Sequence, residues 1–229
     1  LKVLVVAVVL LVALITQSTA EPVKNVWPNQ FDVPFGLYAS LVDINNASSH
    51  MYYNYDIQAQ MIDYEQHCFP LAHFDAGLYP CKLYFNNQGI FLHSPKTSLQ
   101  CCTFVKGVGT VPPHFLKAFN FVDMQNIKDN VGHSYNTAHW KGPEDFQYWT
   151  AATNTSVILD IKFQDGPTGV YWLFNPNEFH VTPQDPKLFD LPTGGDCNKK
   201  CGFFMEGLED KIMDPLYSLG KSYRAATRN

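Results

Sequence analysis

Large apolar residues recur at every second position through most of this chain, and that period limits what it can fold into. In FDVPFGLYASL, Phe31, Val33, Phe35, Leu37, Ala39 and Leu41 share one parity; in MYYNYDIQAQM, so do Met51, Tyr53, Tyr55, Ile57, Ala59 and Met61. Strand side chains alternate between faces, so each run predicts one buried face and one wet face, as in an antiparallel sheet. The polar joint NNASSH between the two runs makes them a hairpin. A second hairpin is YPCKLYF and IFLHS, with Cys81, Leu83 and Phe85 in phase and Gly89 able to take a positive φ at the turn. CCTFVKGVG follows as a short strand. GHSYNTAHWKG and DFQYWTAATN flank the turn at Gly142 and Pro143. SVILDIKF carries Val157, Leu159, Ile161 and Phe163 in phase, and VYWLFNPNEFHV is the last aromatic strand. Residues 67–79 lack a period and read as a loop. PPHFLKAFNFVDMQNIKDN opens on prolines and spaces Phe115, Phe119 and Val122 in a helical way, which predicts a short helix or an irregular crossover. FFMEGLEDKIMDPLYSLGKSY reads as a short terminal helix. The expected fold is a mainly β domain of about eight to ten antiparallel strands.

The first twenty residues stand apart. Lys2 precedes the apolar run VLVVAVVLLVALI, and Ser18 and Ala20 occupy the small-residue positions before a cleavage point. This predicts a secretory signal peptide over residues 1–20, too short for a membrane span of about 20 residues. One domain then covers Glu21–Asn229, with no membrane span of its own. The formal charge is -5, and loss of Lys2 makes it one unit more negative. With no basic stripe, nucleic acid is excluded as a partner class. Six cysteines, Cys68, Cys81, Cys101, Cys102, Cys197 and Cys201, follow the leader. An even count in a secreted chain predicts disulfides, with fifteen pairings open. Neighbours Cys101 and Cys102 point to opposite faces of a strand and need different partners. Asn46-Ala47-Ser48 and Asn154-Thr155-Ser156 are glycosylation sequons, and both asparagines should be exposed.

Reactive constellations are missing from the sequence. It has no Gly-x-Ser-x-Gly elbow, phosphate loop, dinucleotide fingerprint or His-Glu-x-x-His, so no catalytic residue, metal or cofactor is expected. His67 with His73 beside Cys68 reads as a loop pair beside a disulfide. Cys197-Asn-Lys-Lys-Cys201 has a spacing of three rather than the two of a redox pair, and reads as structural. Glu144 with Asp145, and Asp165, read as turn acids, and Asp160 as a residue on a strand face.

LYPCKLYFNNQGIFLHSPKTSLQC, HWKGPEDFQYWT, SVILDIKF and FHVTPQDPKLFDLPTGGDC together resemble the ependymin-related secreted proteins. They are also similar to the N-terminal, non-catalytic domain of some secreted papain-like cysteine proteases, where a Trp-Pro opening like Trp27-Pro28 precedes such strands. The resemblance spans roughly Trp27 to Cys201 and implies a lipoprotein-carrier-like fold, a strongly curved antiparallel half-barrel cupping an apolar pocket. It also implies that the segment from Phe179 crosses the end of the cup, with Phe189 and Leu191 plugging one rim. Pro192 would stop further pairing, and Cys197 would bond back to Cys101 or Cys102. Cys102 is favoured because it shares parity with Phe104. The other member of the doublet then takes Cys68 or Cys201, and Cys81 takes what is left. Such a clasp closes about 95 residues, worth about 4 to 5 kcal/mol on a chain-entropy estimate. Calcium binding is implied by the resemblance alone, and no ligand loop for it stands in the sequence.

The leading functional expectation is a secreted, non-enzymatic protein, extracellular or lysosomal, that binds a lipid or another hydrophobic small molecule. Its pocket candidates are Phe35, Leu37, Tyr53, Tyr55, Ile57, Leu83, Phe85, Leu159, Ile161 and Trp172. A second is an adhesion or matrix protein with an internally filled cup, which a glycosylated surface and homodimer formation would suit. A third is the pro- or targeting domain of a cysteine protease without its catalytic half, since no active-site cysteine motif is present.

Overall fold

The structure, a computed structural model, describes residues 21–39, 43–69, 79–94, 101–107, 109–152, 158–166, 169–193 and 197–201. The leader, the terminal helix, Asn154 and His73 lie outside these residues.

Eleven strands form one sheet: β1 Gln30–Ala39, β2 Ile44–Asn54, β3 Ala59–Tyr64, β4 Cys81–Asn86, β5 Gly89–His93, β6 Cys101–Lys106, β7 Asn120–Lys128, β8 Ser134–Lys141, β9 Gln147–Ala152, β10 Ile158–Gln164 and β11 Tyr171–Phe174. Their order is β6-β5-β4-β3-β2-β1-β11-β10-β9-β8-β7, every neighbour antiparallel. The chain meanders outward from β1 to the edge at β6. It then crosses to the opposite edge, where the described crossover is residues 109–119, and meanders back, so that β11 lands beside β1. The sheet does not close, because β6 and β7 remain its two edges. It is antiparallel throughout, as the alternation predicts, and a curved half-barrel, as the resemblance implies.

The period-two runs decide the faces. Phe31, Val33, Phe35, Leu37 and Ala39 are buried on the inner face, while Asp32, Pro34 and Tyr38 point the other way and are only half-buried. Met51 and Tyr53, Ile62 and Tyr64, Leu83 and Phe85, Ile90 and Leu92, Trp140, Tyr148, Phe163, Trp172 and Phe174 complete one continuous inner core.

Four readings of the sequence are corrected. First, NNASSH is not the joint of the first hairpin. It belongs to β2, and the turn precedes Ile44. Asn46 has φ 54° where the β1–β2 register shifts, the left-handed geometry that asparagine tolerates at a bulge. Its side chain lies over Gly36, where a Cβ would collide with it. Asn46 is exposed, as expected of a sequon. Second, MYYNYDIQAQM is not one strand. A 310 turn at Tyr55–Ile57 and a left-handed Gln58 (φ 51°) fold it back into β3. Third, the second half of PPHFLKAFNFVDMQNIKDN is the edge strand β7, preceded by a 310 turn at Phe115–Ala118. Most of β7 faces water, so it shows no strand alternation. Fourth, a register shift between Asp160 and Lys162 interrupts the alternation of β10.

Candidate functional site

The inner face gathers most of the predicted pocket residues. Phe35, Leu37, Tyr53, Leu83, Phe85 and Trp172 are all buried in the inner core. Tyr55 lies partly buried at its margin, its ring parallel to Tyr53 at 6.2 Å. Ile161 is fully buried but outside that cluster, and Leu159 is half-buried. Ile57 is 48% exposed in the 310 turn, because the strand period ends at Asn54. At the centre, Trp172 stacks on Phe35 with centroids 4.3 Å apart and meets Phe163 and Phe174 edge-on.

Part of this face is covered by the chain itself. Trp27 precedes β1 and packs against Phe31, Tyr53 and Phe115 at 4.7 to 5.3 Å. The crossover adds Val111, Phe115, Leu116 and Phe119. It is pinned by backbone groups: Trp27 N donates to Pro113 O at 3.0 Å, and the Tyr53 hydroxyl donates to Val111 O at 2.7 Å. Phe115 meets Tyr148 edge-on at 5.1 Å, which places the crossover over β9 as well as β1 and β2. On the β3–β6 side, Cys68, Phe69 and Cys201 are the described residues from outside the strands that join the core.

Asp160 is the functional-looking residue that sequence reasoning passed over. The irregularity in β10 turns it inward, where it is wholly buried. Its carboxylate accepts hydrogen bonds from Asn25 Nδ2 at 2.7 Å and from Trp27 Nε1 at 2.8 Å. Burial raises its pKa to about 6; the hydrogen bonds from Asn25 and Trp27 oppose that rise. Burial also pushes the Tyr148 hydroxyl well above its ordinary range, with the Asp160 charge adding to it. The carboxylate therefore ties the segment before β1 to the sheet through neutral donors. No motif signalled this, because the reversal depends on a bulge.

Besides the Tyr148 hydroxyl, three polar atoms on this face have no hydrogen-bond partner among the described residues: Trp172 Nε1, Ser49 Oγ and Gln60 Oε1. All three side chains are enclosed, at 0%, 2% and 0% exposure. Ser49 pairs across from Phe35 on one side of β1, and Trp172 pairs across from Leu37 on the other. The two thus flank the same aromatic centre. Gln60 opposes Tyr53 and Phe85, with its amide nitrogen on Met51 Sδ at 3.6 Å.

The C-terminal segment lies elsewhere than the resemblance implies. Phe179 does stack on Phe31 at the end of the cup, at 4.7 Å. The chain then turns onto the outer face, where His180 bridges Asp32 and Gln184 bonds Gln30 and Asp32. Phe189 and Leu191 do not plug a rim. They pack on Met61, Tyr84 and Phe91, which have the opposite parity to the inner residues of β3, β4 and β5. This also settles the clasp. Cys197 sits with that outer cluster and bonds Cys101, not the favoured Cys102. Cys102 pairs with inner-facing Leu92 and bonds Cys201, leaving Cys68 with Cys81. Parity with Phe104 directed Cys102 into the core, away from the outer strap that carries Cys197. The strap ends as a parallel bridge on edge strand β6, with Thr103 N donating to Lys199 O and Cys201 N to Thr103 O.

Other candidates remain dispersed. Asp145 pairs with Lys141 at 2.7 Å in solvent, and the Glu144 side chain lies outside the described residues. Among the described residues, no group of three or more His, Cys, Asp or Glu side chains is placed to hold a metal ion. Likewise, no described helix is long and apolar enough to cross a membrane.

No protein-family profile matches the chain, and no curated protein matches it. Among solved structures it is similar to a LolA superfamily protein from Nitrosomonas europaea. The two share 8% identity at a TM-score of 0.35, over 72% of this chain and 92% of that one.

Proposed function

We propose that the protein is a secreted, non-enzymatic binder of a hydrophobic ligand held against the inner face of the sheet. The observation that carries this reading is the set of enclosed, unpartnered polar atoms, Trp172 Nε1, Ser49 Oγ and Gln60 Oε1, within an otherwise apolar and aromatic surface. A buried donor or acceptor left unpaired costs about 1 to 3 kcal/mol, so native proteins retain few of them without a reason. An apolar wall with a few polar groups is how small-molecule sites are built. Binding would proceed by burial, each methylene removed from water contributing about 0.8 kcal/mol. Three disulfides support an oxidising, extracytosolic location. Asp160, enclosed by neutral donors, serves as a tether in this reading rather than as an acid or base.

The covering of β1, β2 and β9 by Trp27 and the crossover supports a second reading, an adhesion or matrix protein whose cup is filled by its own chain. Native mass spectrometry of protein purified from a secreting cell, before and after solvent extraction, separates the two. Added mass of a few hundred daltons that disappears on extraction is expected for a carrier. A single unchanged mass across several preparations would refute ligand carriage and leave the filled-core reading.

A further inference from the structure

The inner face also specifies the charge of its ligand, given the proposed reading that it holds one. No lysine is buried among the described residues, and both arginines lie outside them. Lys82 turns outward to Asp63 at 2.6 Å, and Lys162 lies on the outer face between the rings of Trp149 and Tyr171. Lys24 comes nearest, over Trp140 on the β8 side, but it is 31% exposed and already donates to Phe119 O. Among the described residues three carboxylates are buried: Asp129 and Asp165 lie in the turns after β7 and β10, and Asp160, held by the neutral donors Asn25 and Trp27, lies on the inner face. An anion brought onto this face would lose its hydration, gain no cation from the described residues and meet a carboxylate's field. Trp172 Nε1 can only donate and so requires an acceptor; Ser49 can do either; Gln60 Oε1 can only accept. A hydroxyl can accept from Trp172 Nε1 and donate in turn, while a carbonyl can accept from Trp172 Nε1 and Ser49 Oγ but leaves Gln60 Oε1 without a donor; neither carries a charge.

We infer that the ligand is a neutral lipid whose polar end is an uncharged ester, ketone or alcohol, received by Trp172 and Ser49 on either side of Phe35. Ionised fatty acids and phosphate headgroups are disfavoured there. The distinction concerns the polar end alone, since the hydrocarbon contributes equally in either case.

Matched probes test it. Radiolabelled methyl oleate, oleyl alcohol and oleate are offered to the delipidated full chain from one cyclodextrin reservoir, at about pH 8.5, where a carboxylic acid is ionised. The ester and the alcohol should bind at least tenfold more tightly than oleate. Trp172→Phe should weaken the ester by about 3- to 10-fold, the value of one neutral hydrogen bond, and leave oleate unchanged. Ser49→Ala, a smaller perturbation of the fold, should weaken the alcohol more than the ester. Oleate binding as tightly as the ester would overturn the inference about charge and leave the hydrophobic-ligand reading standing. Ester affinity unchanged in both variants would overturn the assignment of the polar end. Failure of all three probes to bind would overturn the underlying reading, and the inference with it.

Discussion

Replacing Asp160 by Asn isolates what a buried carboxylate does to this fold. In the folded chain its pKa is raised from 3.8 to about 6, chiefly by burial. Below 3.8 the group is protonated whether the chain is folded or not, and its titration contributes nothing to stability. As pH rises from 3.8 to about 6, the unfolded chain releases the proton while the folded chain keeps it, so stability falls. Above about 6 the loss is complete and constant. The interval of roughly two pH units, at about 1.4 kcal/mol for each, amounts to about 3 kcal/mol. Asp160→Asn cannot titrate, so its difference from the parent should change with pH by that amount. The variant's standing relative to the parent improves by about 3 kcal/mol from pH 3.5 to pH 7.5. Any fixed cost of the amide, which offers one acceptor to Asn25 and Trp27 where the carboxylate offers two, shifts the whole curve without bending it. Denaturant unfolding of both proteins with disulfides intact, followed by tryptophan fluorescence at several pH values, gives the difference directly, and the other titrating groups cancel. A difference flat with pH would show that the hydrogen bonds fully compensate burial. A difference of opposite slope would show that they outweigh it. Either result refutes the raised pKa.

Four other outcomes are expected. Non-reducing peptide mapping should recover Cys68–Cys81, Cys101–Cys197 and Cys102–Cys201, and removal of the second pair by Cys101→Ser with Cys197→Ser should cost about 2 to 5 kcal/mol in chemical unfolding. Tyr53→Phe leaves Val111 O without its donor beneath the crossover and should destabilise by about 1 to 2 kcal/mol, read as a shifted denaturation midpoint. Gly89→Ala places a Cβ 2.2 Å from Val105 O, a backbone atom that cannot swing aside, and should destabilise by more than the roughly 0.5 kcal/mol of an ordinary surface change, read from the denaturation midpoint. Expressed in a glycosylating cell, the protein should lose one glycan on Asn46→Gln, seen as a mobility shift that matches enzymatic deglycosylation of that site.

How far the chain could be read depended on where each residue gets its environment. Phe31 to Ala39 and Cys81 to Phe85 were legible because a half-buried strand writes its two faces directly into its period. The edge strand β7 was not, since a strand exposed on most positions has no face to declare. Asn46 read as a turn residue because asparagine favours the left-handed region wherever it occurs, and a bulge uses that region as readily as a turn does. Ile57 was assigned to the pocket on parity that the turn at Tyr55 had already ended. The burial of Trp172 on the inner face was legible in its period, but the isolation of its indole nitrogen was not, because hydrogen-bond partners come from neighbouring strands.

Fold class, the inner face and the need for covalent staples were thus determined by the sequence itself. They follow from period, composition and cysteine count, which are local or additive quantities. Tertiary structure decided the rest. It brought β11 against β1 at the centre of the sheet although some 130 residues separate them, and it laid the crossover over Tyr53 and Trp27. It sent the Phe189–Leu191 strap to the outer face, and so gave Cys197 to Cys101. The irregularity in β10 turned Asp160 into the core. Each of these is a choice of face or neighbour, and a shift of one residue in register reverses it, so only the assembled sheet could make it.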